Sequence, residues 1–369
     1  MDVGLITQHN LRNFGSDLQA HSLYSYLNEL GLQTYIINYW LEGLRHIYFS
    51  KYDWKVDSPL KFPRRILGNF ARMLNSKNID KSRKRFAQFR SSWKLTREYV
   101  GEGSIDSDPP IFDAYVAGSD AIWHPKYIVP ARGLHFAKNL GKRTVSYAPS
   151  IGTSQISKAE AENMKRIISG IDFISCREKS GAERLSEILG RPVEAVLDPI
   201  FLHGIEWWKS LVPPSPAVKG DYIFTYLVLP DRKLARQTVK MLKKLYGLPV
   251  VSIALGIADN YGLGVDKTIF DAGPLEFLNL LINAKVVAAS SFHGAAFGIH
   301  FRKDTYAIKS NPNDTRLDDL FKRFGLSSER IISAENPPAQ SRIDYSLTDK
   351  LFEVELANSK KYLNDALKA

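Results

Sequence analysis

The sequence predicts an α/β chain of two Rossmann-like, doubly wound domains that face each other across a cleft. Three observations carry this reading. Strand and helix signals alternate through both halves, the pattern of parallel sheets with helices on both faces. A chain of 369 residues is too long for one comfortable core and suits two. A proline-rich stretch, Val212-Pro213-Pro214-Ser215-Pro216, reads as a linker between them.

Val3–Thr7 is a candidate first buried strand. Ser16–Leu30 follows as a helix, with apolar residues at 18, 20, 23, 24, 27 and 30, and Gly31 sits where a C-cap belongs. Gln33–Asn38 is the next strand. Ala114–Ala117, Thr144–Ala148, Phe173–Cys176 and Val193–Val196 are short strands, with helices at Ala159–Ser169 and Ser180–Leu189. The second half starts afresh with strands at Tyr222–Val228, Val250–Ala254 and Val286–Ala289. Its helices are Arg232–Tyr246, Gly273–Ala284 with Pro274 near its first position, and one from Gly294. Residues 1–204 thus form a first domain carrying a basic helical insertion at about 55–100. Residues 205–345 form a second domain, and 346–369 a C-terminal helix that packs back on the first. Ligands are expected in the crevice where strand C-termini meet.

Composition excludes several classes. Hydrophobic residues make up 44% and charged residues 24%, an ordinary globular balance. No apolar run is long enough for a membrane span. The N-terminus shows no leader pattern, so a cytoplasmic location is expected. Cys176 is the one cysteine, which rules out an internal disulfide, and nothing resembles a zinc site. The net charge of +11 is concentrated: Lys61–Arg97 holds twelve Lys or Arg against Asp80, leaving 38 basic and 38 acidic residues elsewhere. This segment fits an anionic membrane surface at the inner membrane face, or a solvated helical insertion. The ordered motifs outside it argue against a nucleic-acid binder.

Several segments place reactive side chains at strand ends. Asn13-Phe14-Gly15-Ser16 opens the first helix, where a glycine lets backbone approach a phosphate; an ordinary capped turn is the alternative. Gly118-Ser119-Asp120-Ala121-Ile122-Trp123 ends a strand. Asp120 there is either a general base for a sugar hydroxyl or an N-cap, and Trp123 either stacks on a sugar or packs in the core. Tyr147 and Ser150, in Ser146-Tyr147-Ala148-Pro149-Ser150-Ile151-Gly152, line the same cleft or a tight loop. Arg177 presents a fork suited to carboxylate or phosphate, or pairs with Glu178 or Asp198. Asp198, before Pro199, reads first as a turn former. Ser290-Ser291-Phe292-His293-Gly294 runs from a strand into a helix, and His293 is the natural general acid. Arg316 adds charge to the cleft or sits on a helix surface.

In this order, the segments resemble the polysaccharide pyruvyl transferase family. The family pattern runs Gly-Ser-Asp-Gln-x-Trp, Ser-Tyr-Ala-x-Ser-x-Gly, Ser-x-Arg-Glu, Asp-Pro and Ser-Phe-His-Gly after a Gly-Asn-x-Gly-like start. The likeness spans residues 1 to about 330. It implies a GT-B-like fold, phosphoenolpyruvate as co-substrate with no further cofactor or metal, and a hexose of a surface polysaccharide or its lipid-linked precursor as acceptor. The product would be a cyclic pyruvate ketal. The resemblance assigns Arg177 to the donor's anionic groups, His293 as acid and Asp120 as base. Two departures stand out. Ser291 occupies a position where some members carry Arg, so Arg316, Lys303 or Arg302 must supply that contact, and Ala121 replaces the usual Gln. The rival readings are a nucleotide-sugar glycosyltransferase of the same shape and a non-catalytic binder of anionic surfaces.

Overall fold

A computed structural model describes residues 1–43, 45, 70, 73–228, 230–256, 259–311, 313–333, 336–338 and 343–368. The first half runs β1 (Asp2–Ile6), α1 (Phe14–Glu29), β2 (Gln33–Trp40), α2 (Ser76–Arg90), β3 (Leu95–Val100), α3 (Glu102–Ser107), β4 (Ala114–Asp120), α4 (His135–Asn139) and β5 (Arg143–Pro149). It continues through α5 (Lys158–Ile168), β6 (Ser175–Cys176), α6 (Lys179–Leu189), β7 (Glu194–Ala195) and α7 (Ile205–Ser210). The second half holds β8 (Ile223–Tyr226), α8 (Arg232–Tyr246), β9 (Val250–Ile253), β10 (Lys267–Ile269), α9 (Pro274–Asn283), β11 (Val286–Ala289), α10 (Phe292–His300), β12 (Asp304–Ile308), α11 (Arg316–Arg323) and β13 (Ile331–Ile332). The chain closes with α12 (Tyr345–Lys368).

Among the described residues the first sheet has the order β3-β2-β1-β4-β5 and the second β10-β9-β8-β11-β12-β13. Every pairing in both is parallel. The strands are nearly all buried because helices cover both faces, which is why they read as apolar runs rather than alternating ones. In each sheet the strand order reverses once, between β1 and β4 and between β8 and β11. Crevices open beyond the strand ends at such points.

Two differences from the sequence reading have clear causes. Helix α1 starts at Phe14 rather than Ser16, because the Asn13 side chain caps it by accepting from the Ser16 amide. The basic insertion is not helical to residue 100: Leu95–Val100 forms the edge strand β3, whose mostly exposed, charged residues suit an edge. The insertion's residues 55–69 and 71–72 lie outside the described ones.

The two halves share one apolar cluster that runs from Val3 and Leu5 to Val287 and Ile331. At its centre the Phe14 ring of α1 stacks on Phe277 of α9 at 5.2 Å and meets Phe86 of α2 and Tyr226 of β8. Helix α2 also carries cations inward. Arg90 makes a two-pronged pair with the fully buried Asp17, at 2.6 and 2.8 Å. On the other side Arg85 and Lys81 pair with Asp271, Arg85 with Glu276, and Ser82 donates to the Ala272 carbonyl. The last helix returns to the first half, where Tyr362 donates to the Ser146 carbonyl and Ser359 accepts from the Leu197 amide. Removing one partner of a buried ion pair strands the other charge. Arg90→Ala is therefore expected to lower stability by about 3 kcal/mol, read as a drop in the urea midpoint, while Lys77→Ala on the exposed side of the same helix leaves it unchanged.

Candidate active site

The ends of β4 and β11 lie at the two reversal points, so Asp120 and the Ser290–His293 turn arrive in one place. They line a cavity of about 380 Å³ together with Asn13, Tyr226, Lys309, Asp314 and Arg316. Asp120 closes β4 with φ 69, a left-handed turn that points its carboxylate away from the strand path. Ser16 Oγ and the Ala121 amide, the latter at 2.8 Å, donate to it. On the opposite wall Ser291 caps α10 by accepting from the Gly294 amide at 3.0 Å, and His293 stands in the first turn. Ser290 fastens the loop after β8 through the Val228 backbone.

Behind His293 lies a buried ionic network. Asp198 Oδ2 receives Ser119 Oγ at 3.1 Å and Arg177 Nη1 at 2.9 Å, and lies 3.4 Å from His293 Nε2. Its Oδ1 accepts the Ile200 amide at 3.1 Å, so one oxygen forms the turn that Pro199 marks and the other holds the network. Arg177 Nε meets Glu178 Oε1 at 3.0 Å, which also accepts from Ser150 Oγ at 2.6 Å. The guanidinium lies 3.7 Å over the Phe292 ring. Burial alone would raise the Asp198 carboxyl; His293 and Arg177 outweigh it and hold it well below the usual carboxylate range. Burial also opposes the charge on Asp120, and again His293 and Arg177 prevail, helped by Ser16 and the Ala121 amide. Desolvation works against the Arg177 charge, and Glu178 and Asp198 more than offset it.

The structure corrects several site expectations. Trp123 is fully buried and its indole donates to the Arg132 carbonyl at 3.0 Å, so it packs in the core and stacks on no ligand. Tyr147 is likewise fully buried in the shared apolar cluster. Ser150 is buried against Glu178, and Gly118 leaves space for Leu5 and Leu23, whose atoms would lie 2.7 Å from a Cβ there. Gly294 makes room for Ala289 at the same distance. Ser119 serves Asp198 rather than the cavity. Nε and Nη1 of Arg177 are taken by protein carboxylates, the structural alternative the sequence offered; its guanidinium lies over Phe292, which lines the cavity, and it reaches His293 through Asp198. Arg302 and Lys303 sit at the far end of α10, Arg302 paired with Asp349, so neither replaces the Arg missing at Ser291. Arg316 does line the cavity, clamped by Asp314 at 2.8 and 2.6 Å.

Sequence reasoning passed over Lys309, which lines the cavity and pairs with Asp318; strand β12, which delivers it, carried no clear signal. Among the described residues no group of three His, Cys, Asp or Glu side chains could hold a metal ion.

The profile of the polysaccharide pyruvyl transferase family matches residues 13–312. This chain belongs to that family. No curated protein sequence matches it. In fold, the chain is similar to a protein described as a putative UDP-N-acetylglucosamine 2-epimerase from Listeria monocytogenes. The TM-score is 0.52 at 12% identity, over 100% of this chain and 91% of that one. A UDP-GlcNAc 2-epimerase from Methanocaldococcus jannaschii follows with 0.46 and 12%, over 96% and 93%. The glycosyltransferase SnogD from Streptomyces nogalater gives 0.42 and 13%, over 100% and 98%. At such identity the first likeness speaks for the fold alone, two Rossmann-like domains in the GT-B arrangement.

Gly15 has a specific role in this family member. A Cβ at that position would lie 2.4 Å from His293 Nδ1, so the bare backbone of α1 is what lets the imidazole sit where it does. Gly15→Ala is expected to displace the ring and to cost about 1–3 kcal/mol through overpacking. A shifted His293 imidazole signal in NMR, with Gly103→Ala as the control in open space, checks it.

Proposed function

We propose that the cavity takes phosphoenolpyruvate and a sugar diol and forms a cyclic pyruvate ketal with release of phosphate. The observation that carries the reading is the meeting of His293 and Asp120 on one small cavity, His293 from the second sheet and Asp120 from the first. The donor carries a carboxylate and a phosphate. The N-terminus of α10 offers a positive dipole to such groups, and Arg316 and Lys309 line the same cavity. Those two cations take the place of the Arg absent at Ser291.

In this mechanism His293 protonates the methylene carbon of the enol ester, leaving C2 cationic. One sugar hydroxyl attacks C2 and gives its proton to Asp120, which is held ionised. The C2–O bond to phosphate breaks, the second hydroxyl closes the ring on C2, and its proton leaves with phosphate. Arg177 is a positioning residue: it fixes Asp198, and Asp198 fixes the imidazole. No bound cofactor enters these steps.

General acid catalysis contributes roughly 10²–10⁴ in rate. Turnover in His293→Ala is expected to fall by about that factor, read as phosphate release and as the ketal methyl signal with a panel of sugar acceptors. Near-normal turnover in the folded variant removes His293 from the mechanism. Asp198→Asn keeps the bond to Ile200 through its amide oxygen and is expected to lower kcat far more than it raises donor KM. An unchanged kcat would leave the network a structural device only.

The acceptor in this reading is lipid-linked, and the enzyme docks at the inner membrane face through the Lys61–Arg97 segment. Lys81, Arg85 and Arg90 are engaged within the protein, so the contact falls to the earlier part of the segment. There Phe70, Met73 and Leu74 stand exposed by 51, 49 and 64%. Deleting residues 61–74 is expected to abolish flotation with anionic vesicles; unchanged flotation would refute the docking.

A further inference from the structure

Trp123 is buried, so the stacking the sequence suggested for it does not reach the acceptor, and recognition of the acceptor beyond its reacting sugar must come from elsewhere. The reaction cavity has a neighbour. Lys309 and Ser310, just beyond β12, line it and also line a second cavity of about 690 Å³. That cavity is bounded by the first turns of α8, the end of β12 and the approach to β13. Its floor is apolar, from buried Leu234 and Ile331. Its rim is polar: Lys233 and Gln237 stand one turn apart on α8, with Ser328 and Ser333 opposite. Gln237 makes no hydrogen bond and Lys233 no ion pair with the described residues.

The charges around the rim balance. Asp231 caps α8 by accepting from the Leu234 amide, Asp318 is paired with Lys309, and Lys233 offsets Asp231. A balanced rim does not gather a polyanion such as a nucleoside diphosphate. An apolar floor under amides, hydroxyls and single charges suits a pyranose, whose C–H face is apolar and whose edge is ringed by hydroxyls.

The geometry points to the 690 Å³ cavity as a second-sugar site. It holds the unit of a neutral acceptor glycan next to the one whose hydroxyls meet the donor, and the chain passes over Lys309 and Ser310. This rests on the pyruvyl-transfer reading of the neighbouring cavity. The minimal efficient acceptor is then a disaccharide.

The test uses the full chain with phosphoenolpyruvate and pairs of methyl glycosides, a monosaccharide and a disaccharide ending in the same hexose. Wild type is expected to show a kcat/KM at least about tenfold higher for the disaccharide. The Lys233→Ala/Gln237→Ala variant, altered only at exposed side chains, is expected to lose that excess and keep monosaccharide turnover unchanged. Turnover with no disaccharide preference, or with both acceptors weakened equally by the variant, overturns the site and leaves the pyruvyl reading standing. Calorimetry of the disaccharides without phosphoenolpyruvate separates the other failure. Binding that the variant abolishes, with no phosphate released from any pair, keeps the glycan site and overturns the reaction. Wild type that binds no disaccharide overturns the inference.

Discussion

The carboxylate of Asp198 is the point on which the rest of the molecule is hung. It is buried, it is charged, and its partners come from distant parts of the chain: Ser119 at the end of β4, Arg177 after β6 and His293 at the head of α10. An ionised carboxylate without partners in such a place would be very costly. Once Asp198 is buried, the two sheets must approach so that His293 of the second reaches it. Arg323 secures the same region from α11, donating to the carbonyls of Arg177, Ala195 and Val196 while it pairs with Glu355 of α12. The electrostatics that set the His293 imidazole are thus the electrostatics that join the halves.

The opposite side of the cleft is closed by different physics. There the contact is aromatic, with Phe14 stacked on Phe277, and helix α2 lies across the seam with Arg90 on Asp17 and Arg85 on Glu276. This changes the meaning of the basic segment. Its charge looked like a wet face when read from composition. In the fold, Lys81 and Arg85 are ties across the interface between halves and Arg90 is a tie within the first half, so they need acids on both α1 and the second domain. Since Asp17, Asp271 and Glu276 are separated from them by tens to hundreds of residues, no local pattern could reveal the pairing.

That distinction governs what the sequence disclosed. The sheets were legible because each strand of a parallel sheet must be apolar on both faces, a property of consecutive residues. The cavity walls were legible because Asp120 and His293 sit where strands end, and strand ends at order reversals are where crevices form. Trp123, Tyr147 and Ser150 stand equally close to strand ends but are buried in the protein rather than in the cavity wall, a difference of direction that spacing does not encode. Edge strand β3 carries the polar residues of a surface segment, so it looked like part of the helix before it. Asp198 was visible as a turn former, and half of its carboxylate is one. Its second oxygen works with residues 79 positions before it and 95 after it, beyond the reach of any motif.

Backbone strain supplies an independent reason to place the chemistry at the end of β4. Two neighbouring parallel strands carry left-handed residues that are not glycine at their ends, Asp120 as the last of β4 with φ 69 and Ala148 as the last but one of β5 with φ 54. Such a conformation costs of order 1–3 kcal/mol and persists only where the surroundings impose it. At Asp120 they do: its carbonyl accepts the amides of Ile122 and Ser150, both at 2.8 Å, while its carboxylate is tied to Ser16 and to the Ala121 amide. Glycine would adopt this turn without strain, yet glycine would bring no carboxylate to the cavity. An aspartate is among the few side chains that tolerate the left-handed region, and here it does so with its charge held ionised by His293 and Arg177. The turn that strains the backbone is the same turn that brings a carboxylate from the end of β4 to the cavity that His293 of the facing sheet also lines.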